Sequence, residues 1–512
     1  MKWNIGKILS KREATHPEKA ALIFEDTPIS YRELNRQSNR VAEFFREKGL
    51  KKGDRIAVDL VNCPEFFACY FACAKLGLIF VPLNYRLVSL ELKFQLNRCN
   101  CRLLVFNDQF AEYIDPIRDS LEVEKENYIC VREKASDAPC PSWALDYHEA
   151  IKPFPGQEPI PDKVIDLDDP FIIMFTSGVT GNPKGAVLTH GQTYFKCFQI
   201  INYTDMRADD VFQSQAPLCH SAGLCAVSTP ALCRGATLLM RGKFDPEKFG
   251  QDIETYKATI MFGLSTMMKF VLKTGVLDRV DLSSVRFAYG GGEKTHQSFY
   301  DELDEKGLHL LPGFGQTENS AMALMPPDAP KSKIKSVGKA NFFTELWIQN
   351  EAGERLGPGE IGQIMAMGPN VMKEYWDMPN ETRATIVDDV LHTGDLGYMD
   401  EDGYLYIVDR VKDMYRSGAE NVYPAEVETV LQDHPKIDRV AIIGVSDEKW
   451  GETGKAIILC HKGETITLEE VVSYLEGKLA GFKFPKSTLQ VESMPMTVTG
   501  KLKKGVLKQQ YS

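Results

Sequence analysis

Short runs of consecutive apolar residues alternate with longer amphipathic stretches in the first third of the chain. Ile56 to Leu60, Leu78 to Val81 and Leu103 to Phe106 have the length and β-branched content of buried strands. Helix-like stretches such as Pro64 to Lys75 lie between them. This alternation predicts a doubly wound α/β layer.

A second cycle of the same kind runs from Pro170 to Gly292. It reads as the strand PFIIMF, a Gly-rich loop, a helix-like segment, the strand ATLLM, the helix-like FDPEKFGQDIETYK and the strands ATIMF and VRFAYGGG. The pattern predicts two α/β subdomains before about Pro330.

From Glu345 the pattern changes to short strands separated by Gly-rich turns, which predicts a small β-rich subdomain. After Asp409 the segments EVETVLQDH, RVAIIGV, KAIILCHKG and LEEVVSYLEGKL predict a compact α+β tail. The predicted fold is therefore α/β, with two doubly wound subdomains and a β-rich subdomain in residues 1–411. A small α+β domain follows in residues 412–512, with the junction at Lys412.

Composition narrows the classes of function. The 512 residues are 43% hydrophobic and 26% charged, with a formal net charge of −11. A chain with that balance has no global positive field for nucleic acid or an anionic membrane, so groups that bind a polyanion must be local. The longest apolar segment, Ala68 to Leu83, is interrupted by Lys75 and Gly77 and is too short for a membrane span. Without a signal-like N-terminus, the expected location is cytoplasmic.

A Gly-rich loop, TSGVTGNPKG from Thr176 to Gly185, follows the apolar run Phe171 to Phe175. Its glycines let backbone N–H groups converge on an anion, its hydroxyls add donors, and Lys184 adds a positive charge. Gly185 follows that lysine where a P-loop NTPase has Ser or Thr. The composition predicts a polyphosphate cradle that is not a P-loop.

Further motifs follow this loop in a fixed order. They are PLCHSAGL (Pro217 to Leu224), YGGGE (Tyr289 to Glu293), GFGQTE (Gly313 to Glu318), GEIGQIMAMGPNVMKEYW (Gly359 to Trp376), LHTGDLGYMDEDGYLYIVDRVKDMYRSGAENVYPAEVE (Leu391 to Glu428), IIGVSDEKWGE (Ile442 to Glu452) and TVTGKLKK (Thr497 to Lys504). The ordered set spans nearly the whole chain. It resembles the signature of the adenylate-forming superfamily, and within it the AMP-forming acyl-CoA synthetases.

The resemblance implies an enzyme, an acid–thiol ligase, that works in two steps. A carboxylate attacks the α-phosphorus of ATP and releases pyrophosphate, and the acyl-adenylate then transfers its acyl group to the thiol of coenzyme A. ATP, Mg²⁺ and coenzyme A are the expected cofactor and co-substrates. The expected partners are these molecules and a carboxylic acid, with no nucleic acid and no integral membrane segment. Whether the protein forms a homodimer stays open.

The resemblance also assigns roles around the nucleotide. Thr317 would touch the α-phosphate, Glu318 would place Mg²⁺ with help from Thr176, and Phe314 would stack on adenine. Asp395 and Arg410 would bind the ribose. The implied nucleotide-binding set is Thr176, Ser177, Gly178, Thr180, Gly181, Lys184, Gly292, Glu293, Phe314, Gly315, Gln316, Asp395 and Arg410.

Two lysines near the C-terminus have implied mechanical and catalytic roles. Lys501 would bridge the substrate carboxylate and the α-phosphate, which makes it catalytic together with Thr317 and Glu318. Lys412 would be the hinge about which a mobile C-terminal domain rotates for the second step. Gly418, Glu420 and Asn421 would then line the channel for coenzyme A.

The implied acyl pocket is formed by His220, Gly223, Leu224, Phe262, Gly263, Leu264, Met267, Gly290, Gly291, Ala321 and Met322. His220 matches the family's gate beside this pocket, with simple packing as the alternative. The segments Met261 to Met268 and Asn319 to Met325 are apolar and Met-rich, and CHSAGL offers no aspartate for a substrate ammonium. These features favour a medium- or long-chain fatty acid.

Several alternatives stay open at this stage. They are a cyclic or aromatic carboxylate–CoA ligase, a ligase that loads an acyl-carrier protein, a luciferase-like enzyme and a nucleotide-binding regulator without catalysis. The chain departs from the family at Val179, where Ser or Thr is usual, and at Gly263 and Leu264, where Val–Pro is usual. Val179 removes one phosphate donor, and Gly263 and Leu264 leave the shape of the acyl pocket undetermined.

Overall fold

The structure is a computed structural model, and it describes residues 3–133, 139–176, 183–291, 297–350, 352–410, 415–418, 420–422, 424–495 and 504–511. Their contacts divide the chain into two units. The larger unit comprises Met1–Tyr85, Leu96–Phe175 and Gly185–Asp409, and the smaller unit comprises Arg86–Gln95, Thr176–Lys184 and Arg410–Ser512. The domain division at residues 411 and 412 stays a prediction.

The helices lie in chain order as follows: α1 (Lys7–Thr15), α2 (Tyr31–Glu47), α3 (Pro64–Leu76), α4 (Ser89–Cys99), α5 (Ala111–Ile114), α6 (Tyr147–Ile151), α7 (His190–Tyr203), α8 (Ser221–Gly223), α9 (Thr229–Arg234), α10 (Pro246–Tyr256), α11 (Ser265–Thr274), α12 (Gln297–Glu305), α13 (Pro379–Thr385), α14 (Pro424–Gln432), α15 (Leu468–Leu475) and α16 (Lys504–Tyr511).

The strands are β1 (Ala20–Phe24), β2 (Thr27–Ser30), β3 (Arg55–Asp59), β4 (Ile79–Pro82), β5 (Leu103–Asn107), β6 (Tyr128–Val131), β7 (Leu145–Asp146), β8 (Pro170–Thr176), β9 (Lys184–Thr189), β10 (Val211–Gln213), β11 (Thr237–Met240), β12 (Ile260–Leu264), β13 (Phe287–Gly291), β14 (Leu310–Gln316), β15 (Ser320–Leu324), β16 (Lys339–Ala340), β17 (Glu345–Gln349), β18 (Gly362–Met367), β19 (Glu374–Tyr375), β20 (Ile386–Val387), β21 (Val390–Met399), β22 (Leu405–Arg410), β23 (Tyr415–Ser417), β24 (Glu420–Val422), β25 (Ile437–Asp447), β26 (Gly451–Cys460) and β27 (Ser487–Gln490).

The first α/β sheet has the order β19-β9-β8-β4-β3-β5-β6-β7, with β3 parallel to both β4 and β5. The predicted strands and the helix between them are confirmed as β3, β4, β5 and α3. Helix α3 has Pro64 in its first turn and ends at Leu76. The next residue, Gly77, has a left-handed φ of 72°, which favours glycine. Every α3 residue from Phe66 to Leu76 is buried, so Cys69 and Cys73 belong to the core.

The second α/β sheet has the order β16-β15-β14-β13-β12-β10-β11-β1-β2. Strands β10 to β14 are parallel, as the second cycle predicted. Strand β1 pairs in parallel with β11, which places the N-terminus of the chain at the edge of this second sheet. The segment after the Gly-rich loop begins as strand β9, because Ala186, Val187 and Leu188 form a fully buried run, and α7 follows it.

The remaining sheets are small. The predicted β-rich subdomain is the antiparallel sheet β17-β18-β21-β20, with β22 paired to β21. In the smaller unit the order is β24-β23-β26-β25, with β27 beside β26. Helices α14 and α15 contribute to the core of that unit through Val427, Leu431 and Leu475. Among the described residues, no helix has both the length and the apolar content that crossing a bilayer requires.

Asp59 is a buried carboxyl at the end of β3. Its side chain is 1% exposed, and Oδ1 has no hydrogen-bond partner within the described residues. Burial raises the pKa of Asp59 from 3.8 to about 7, because a charged carboxylate is poorly solvated there. The folded protein therefore retains a proton at pH values where the unfolded chain has lost it, and stability falls as the pH rises from about 4 to about 7.

Asp59→Asn is expected to stabilise the protein above pH 7 and to have little effect at pH 4. One pKa unit corresponds to about 1.4 kcal/mol, so the gain in the free energy of unfolding has an upper limit of about 4 kcal/mol. Denaturant unfolding at both pH values measures it. Asp119→Asn serves as the control, since the side chain of Asp119 is 86% exposed. A variant less stable than the wild type at pH 8 would show that Asp59 is ionised and stabilised in the fold.

Candidate active site

The structure describes only part of the predicted site. The predicted site residues that lie outside the described residues are Ser177, Gly178, Thr180, Gly181, Gly292, Glu293, Lys412 and Lys501, together with the family departure at Val179. For Arg410 and Asn421 the structure describes the strand but not the side chain. The roles of all these residues stay predictions.

Glycines line the C-terminal ends of three parallel strands in the larger unit. Strand pairing aligns Gly263 of β12 with Gly290 of β13, and Gly291 of β13 with Gly313 of β14. A Cβ atom at Gly290 would collide with the carbonyl oxygen of Gly263, and one at Gly291 with that of Gly313. The strand ends therefore present bare backbone at the edge of the sheet where open α/β proteins bind ligands.

The turn from β14 to β15 carries Thr317 and Glu318. Three successive carbonyl oxygens of this turn accept hydrogen bonds from elsewhere. Lys196 Nζ donates to Thr317 O at 3.1 Å, the Met372 amide donates to Glu318 O, and Asn370 Nδ2 donates to Asn319 O at 2.7 Å. Donors from two segments, α7 and the stretch that contains Asn370 and Met372, thus hold the backbone of Thr317, Glu318 and Asn319.

The Glu318 carboxylate has a defined orientation. Tyr375 donates its hydroxyl to Glu318 Oε1 at 2.7 Å, and β19, which contains Tyr375, pairs with β9 immediately after the Gly-rich loop. Oε1 is therefore held in place by a neutral donor.

Asp395 lies on β21 and is 2% exposed. Gln316 Nε2 donates to Asp395 Oδ2 at 2.6 Å and to the carbonyl oxygen of Thr393 at 2.9 Å. Gln316 thereby ties the end of β14 to β21. Of the predicted nucleotide residues, Gln316, Thr317 and Glu318 are consecutive, and the hydrogen bond from Gln316 joins Asp395 to them.

Phe314 and Gly315 precede this stretch on β14. The Phe314 ring is partly buried against the core of the β-rich subdomain, beside Ile364 and Leu405. A Cβ atom at Gly315 would collide with the carbonyl oxygen of Ser320, so only glycine allows β14 and β15 to come this close.

The segment that contains His220 is held by Asn62, which follows β3. Asn62 Oδ1 accepts from the Leu218 amide at 2.9 Å, and its Nδ2 donates to Ala216 O at 3.2 Å. A Cβ atom at Gly223 would collide with the Pro217 carbonyl oxygen, so Gly223 permits the tight turn after His220. The π-helical turn Leu224–Ser228 follows, a feature frequent at functional sites.

The predicted acyl residues separate into two groups. Leu224, Phe262, Leu264 and Ala321 contribute to the main core, and Phe262 packs against Tyr289 with ring centroids 5.2 Å apart. Met267 is buried at the start of α11. Met322 belongs to a different cluster with Ala366, Val371 and Leu391, because successive residues of β15 point to opposite faces.

The smaller unit contains the remaining described residues of the prediction. Thr176 Oγ1 donates to Lys184 O at 3.4 Å across the base of the Gly-rich loop. Gly418 has a left-handed φ of 65° and donates its amide to Trp450 O at 2.8 Å. Glu420 is buried and forms an ion pair with Arg86.

Comparison with known proteins addresses the whole chain. A family model described as AMP-binding enzyme matches residues 9–376, and one described as AMP-binding enzyme C-terminal domain matches residues 426–501. The chain belongs to the AMP-binding enzyme family. The predicted superfamily and enzyme class, an acid–thiol ligase, are confirmed.

Individual relatives cover almost the full length of this AMP-binding enzyme. A feruloyl-CoA synthase from Amycolatopsis sp is 35% identical over 508 residues, covering 99% of each chain. A long-chain-fatty-acid–CoA ligase from Mycobacterium tuberculosis is 32% identical over 519 residues, also covering 99% of each. A solved structure of o-succinylbenzoate CoA synthetase from Bacillus subtilis, a double mutant with a product analogue, has a TM-score of 0.87, 30% identity and 98% coverage of each chain. The predicted fold class is confirmed.

Three residues that hold the site in this AMP-binding enzyme were not predicted from the sequence. The sequence gives a weak indication for Asn62, which follows a buried strand, and for Tyr375, which lies in a segment next to one. It gives no indication for Lys196, because a lysine on an amphipathic helix is normally exposed. Only the packing of α7 shows that it is fully buried.

Proposed function

We propose that this chain is an AMP-forming acyl-CoA synthetase, which converts a carboxylic acid, ATP and coenzyme A into acyl-CoA, AMP and pyrophosphate. The observation that carries the proposal is the held Thr317–Glu318 turn, which joins Asp395 through Gln316 beside the glycine-lined strand ends. Such a prearranged set of donors and acceptors suits a reaction whose main difficulty is charge on phosphate.

In the first step an oxygen of the acid attacks the α-phosphorus, and the bond to pyrophosphate breaks. The Thr317 hydroxyl is assigned to the α-phosphate, and the hydrogen bond from Lys196 to the Thr317 carbonyl oxygen helps to position this residue. The Asp395 carboxylate accepts hydrogen bonds from ribose hydroxyls, and the bond from Gln316 orients it for that task. The Gly-rich loop and Lys184 bind the outer phosphates.

Glu318 is the residue assigned to Mg²⁺, with Thr176 beside the phosphate loop. One fixed carboxylate oxygen suits this ion, which proteins hold through one or two carboxylates together with substrate phosphates. When bound, Mg²⁺ neutralises phosphate charge. The hydrogen bond from Tyr375 engages Oε1 of Glu318, and among the described residues no hydrogen bond to Oε2 is found.

In the second step the sulfur of coenzyme A attacks the acyl carbonyl, AMP leaves and the thiol proton is lost. Glu420 and Gly418 are assigned to the coenzyme A channel, with Asn421 as their neighbour. Lys501 is assigned to the first step and Lys412 to the hinge.

The proposal also concerns the identity of the carboxylic acid. The Met-rich lining of the acyl segments supports a medium- or long-chain fatty acid. A cyclic or aromatic acid is the second candidate, supported by the 35% identical feruloyl-CoA synthase. An acceptor other than coenzyme A, such as a carrier protein, is the remaining alternative.

A two-part assay tests the proposal. Acid-dependent exchange of radiolabelled pyrophosphate into ATP is expected with at least one member of a panel of alkyl and aryl acids. Addition of free coenzyme A is expected to yield the thioester, identified by mass spectrometry. Absence of exchange with every acid would contradict adenylation, and exchange without thioester would favour a carrier protein as the acceptor.

A further inference from the structure

Lys196 is a fully buried lysine next to the Thr317–Glu318 turn. It lies on α7, which packs against α9, against β15 and against the π-helical turn Leu224–Ser228. Its ammonium nitrogen Nζ donates a hydrogen bond to the Thr317 carbonyl oxygen at 3.1 Å. Because the Thr317 hydroxyl is assigned to the α-phosphate, a buried cation contacts the residue that is assigned to that anion.

The ammonium of Lys196 is charged and has few partners. Its three N–H groups have one acceptor among the described residues, the neutral Thr317 oxygen. Burial lowers the pKa of Lys196 to about 8, while Cys225, Glu318 and Cys197 favour the charged form. Burial also raises the pKa of both thiols, so at pH 7 they are neutral and Glu318 is the charged group of the three. Lys196 is therefore mostly protonated at pH 7.

Glu318 compensates this charge only in part. Its Oε1 accepts the Tyr375 hydroxyl at 2.7 Å, and no ion pair between Glu318 and Lys196 is found within the described part of the chain. A buried ion without an adjacent counter-ion is costly, and a neutral side chain of similar size would avoid that cost. The position therefore suits a lysine whose counter-ion arrives with the substrate.

We propose that Lys196 supplies a positive charge that stabilises the α-phosphate of the nucleotide, and that it acts through Thr317 as a positioning residue for adenylation. Its hydrogen bond orients the residue whose hydroxyl is assigned to the phosphate, and its charge attracts the phosphate. The surrounding helices and strand exclude water from the ammonium, which strengthens this attraction. The assignment rests on the proposed function.

This role differs from the one assigned to Lys501. Lys501 is assigned to the first step alone, on a C-terminal domain that moves between the steps. Lys196 and Thr317 belong to the same unit of the structure. The charge of Lys196 therefore stays beside Thr317 in both steps and helps to retain the phosphate of the acyl-adenylate until the acyl group is transferred.

Binding of AMP and of adenosine tests the assignment, because the two ligands differ only by the phosphate. Isothermal titration calorimetry in EDTA measures both without any contribution from a metal ion. Lys196→Met has similar length and no charge. It is expected to weaken AMP binding by about 10-fold and to change adenosine binding by less than about two-fold. Lys152→Met is the matched control, since the side chain of Lys152 is 71% exposed.

A second variant separates the charge from the hydrogen bond. Lys196→Gln keeps an N–H donor for the Thr317 oxygen and removes the charge. It is expected to bind AMP as weakly as Lys196→Met does. Full AMP affinity in Lys196→Gln would contradict the role of the charge.

A double variant keeps the test decisive if the single variants fail to fold. Lys196→Met combined with Glu318→Gln removes the two charges together, so no uncompensated carboxylate stays at the turn. Its AMP affinity in EDTA is expected to be about 10-fold below that of Glu318→Gln alone. Thermal unfolding shows which variants are folded, and equal AMP affinities in these two would overturn the assignment.

The outcomes separate this assignment from the proposed function. Equal losses of AMP and adenosine affinity in Lys196→Met would overturn it and leave Lys196 with a purely structural role. A wild type that binds adenosine as tightly as AMP would also overturn it. If no acid supported pyrophosphate exchange, the proposed function would fail, whereas the comparison of AMP with adenosine would still report on Lys196.

Discussion

Lys501→Ala is expected to abolish acyl-adenylate formation while leaving thioester formation from preformed acyl-adenylate largely intact. The first step brings a carboxylate against a polyphosphate, and a lysine between the two anions lowers the cost of their approach. Removing such a charged donor from a catalytic site typically costs about 10²- to 10³-fold in rate. In the second step the thiol attacks the acyl carbon and AMP leaves, so no carboxylate has to approach a polyphosphate and this lysine is not needed.

Two assays on the same preparation check this expectation. Pyrophosphate exchange measures the first step, and release of AMP from synthetic acyl-adenylate with coenzyme A measures the second. Lys504→Ala is the matched control, since Lys504 forms an ion pair with Glu428 at 2.6 Å and has no assigned catalytic role. Normal exchange in Lys501→Ala would remove this residue from the mechanism.

Glu318→Gln is expected to lower kcat/KM for ATP by about 100-fold and to raise the Mg²⁺ concentration needed for half-maximal exchange. The amide preserves the size of the side chain and can still accept the hydrogen bond from Tyr375, so the loss reports the missing negative charge. Pyrophosphate exchange over a Mg²⁺ titration measures both effects.

Two neighbouring variants calibrate the Glu318 result. Tyr375→Phe removes one neutral hydrogen bond, worth about 1 kcal/mol, and should reduce activity only about 5-fold. Glu374→Gln changes a charge beside Tyr375 and should leave the Mg²⁺ dependence unchanged. An unaltered Mg²⁺ requirement in Glu318→Gln would contradict the assignment of this carboxylate to the metal.

The sequence predicted many of the local elements correctly, although the segment after the Gly-rich loop begins as strand β9 and not as a helix. Buried strands such as β3 and β5 are recognisable because their residues are apolar on both faces, as parallel strands covered by helices require. Pro64 and Gly77 set the ends of α3 through backbone sterics alone. The motif GFGQTE was identified because it resembles a motif of the family and stands in the family's order along the chain.

Pairings between distant segments were not predictable in the same way. The parallel pairing of β1 with β11 joins Leu22 to Leu238, and nothing in either strand specifies its partner. Likewise, buried Lys75 has acceptors in Asn35 and Asn39, both on α2, and in Glu158, which comes from a separate part of the chain. An apolar run predicts that a segment is buried, but it does not specify the segment against which it packs. A single polar residue likewise does not specify its partner.

A cluster of buried charged side chains in the smaller unit was also not predictable from the sequence. Lys483 bonds to Glu91 at 2.6 Å and to Glu426 at 2.9 Å, and all three side chains are nearly inaccessible. In the sequence each is an ordinary charged residue. The lysine offsets the charge of one carboxylate, and burial raises the pKa of Glu426, which favours its neutral form. Such burial therefore requires all three side chains to be brought together.

The sequence by itself determined the fold class and the family, because these depend on local periodicity and on short motifs that follow one another in a fixed order. Tertiary structure decided which donors hold the Thr317–Glu318 turn, how Gln316 orients Asp395, and that Lys196 is buried beside the acyl segments. The physical reason is that hydrogen bonding and desolvation depend on distances between atoms, and folding sets those distances between residues that are far apart in the chain.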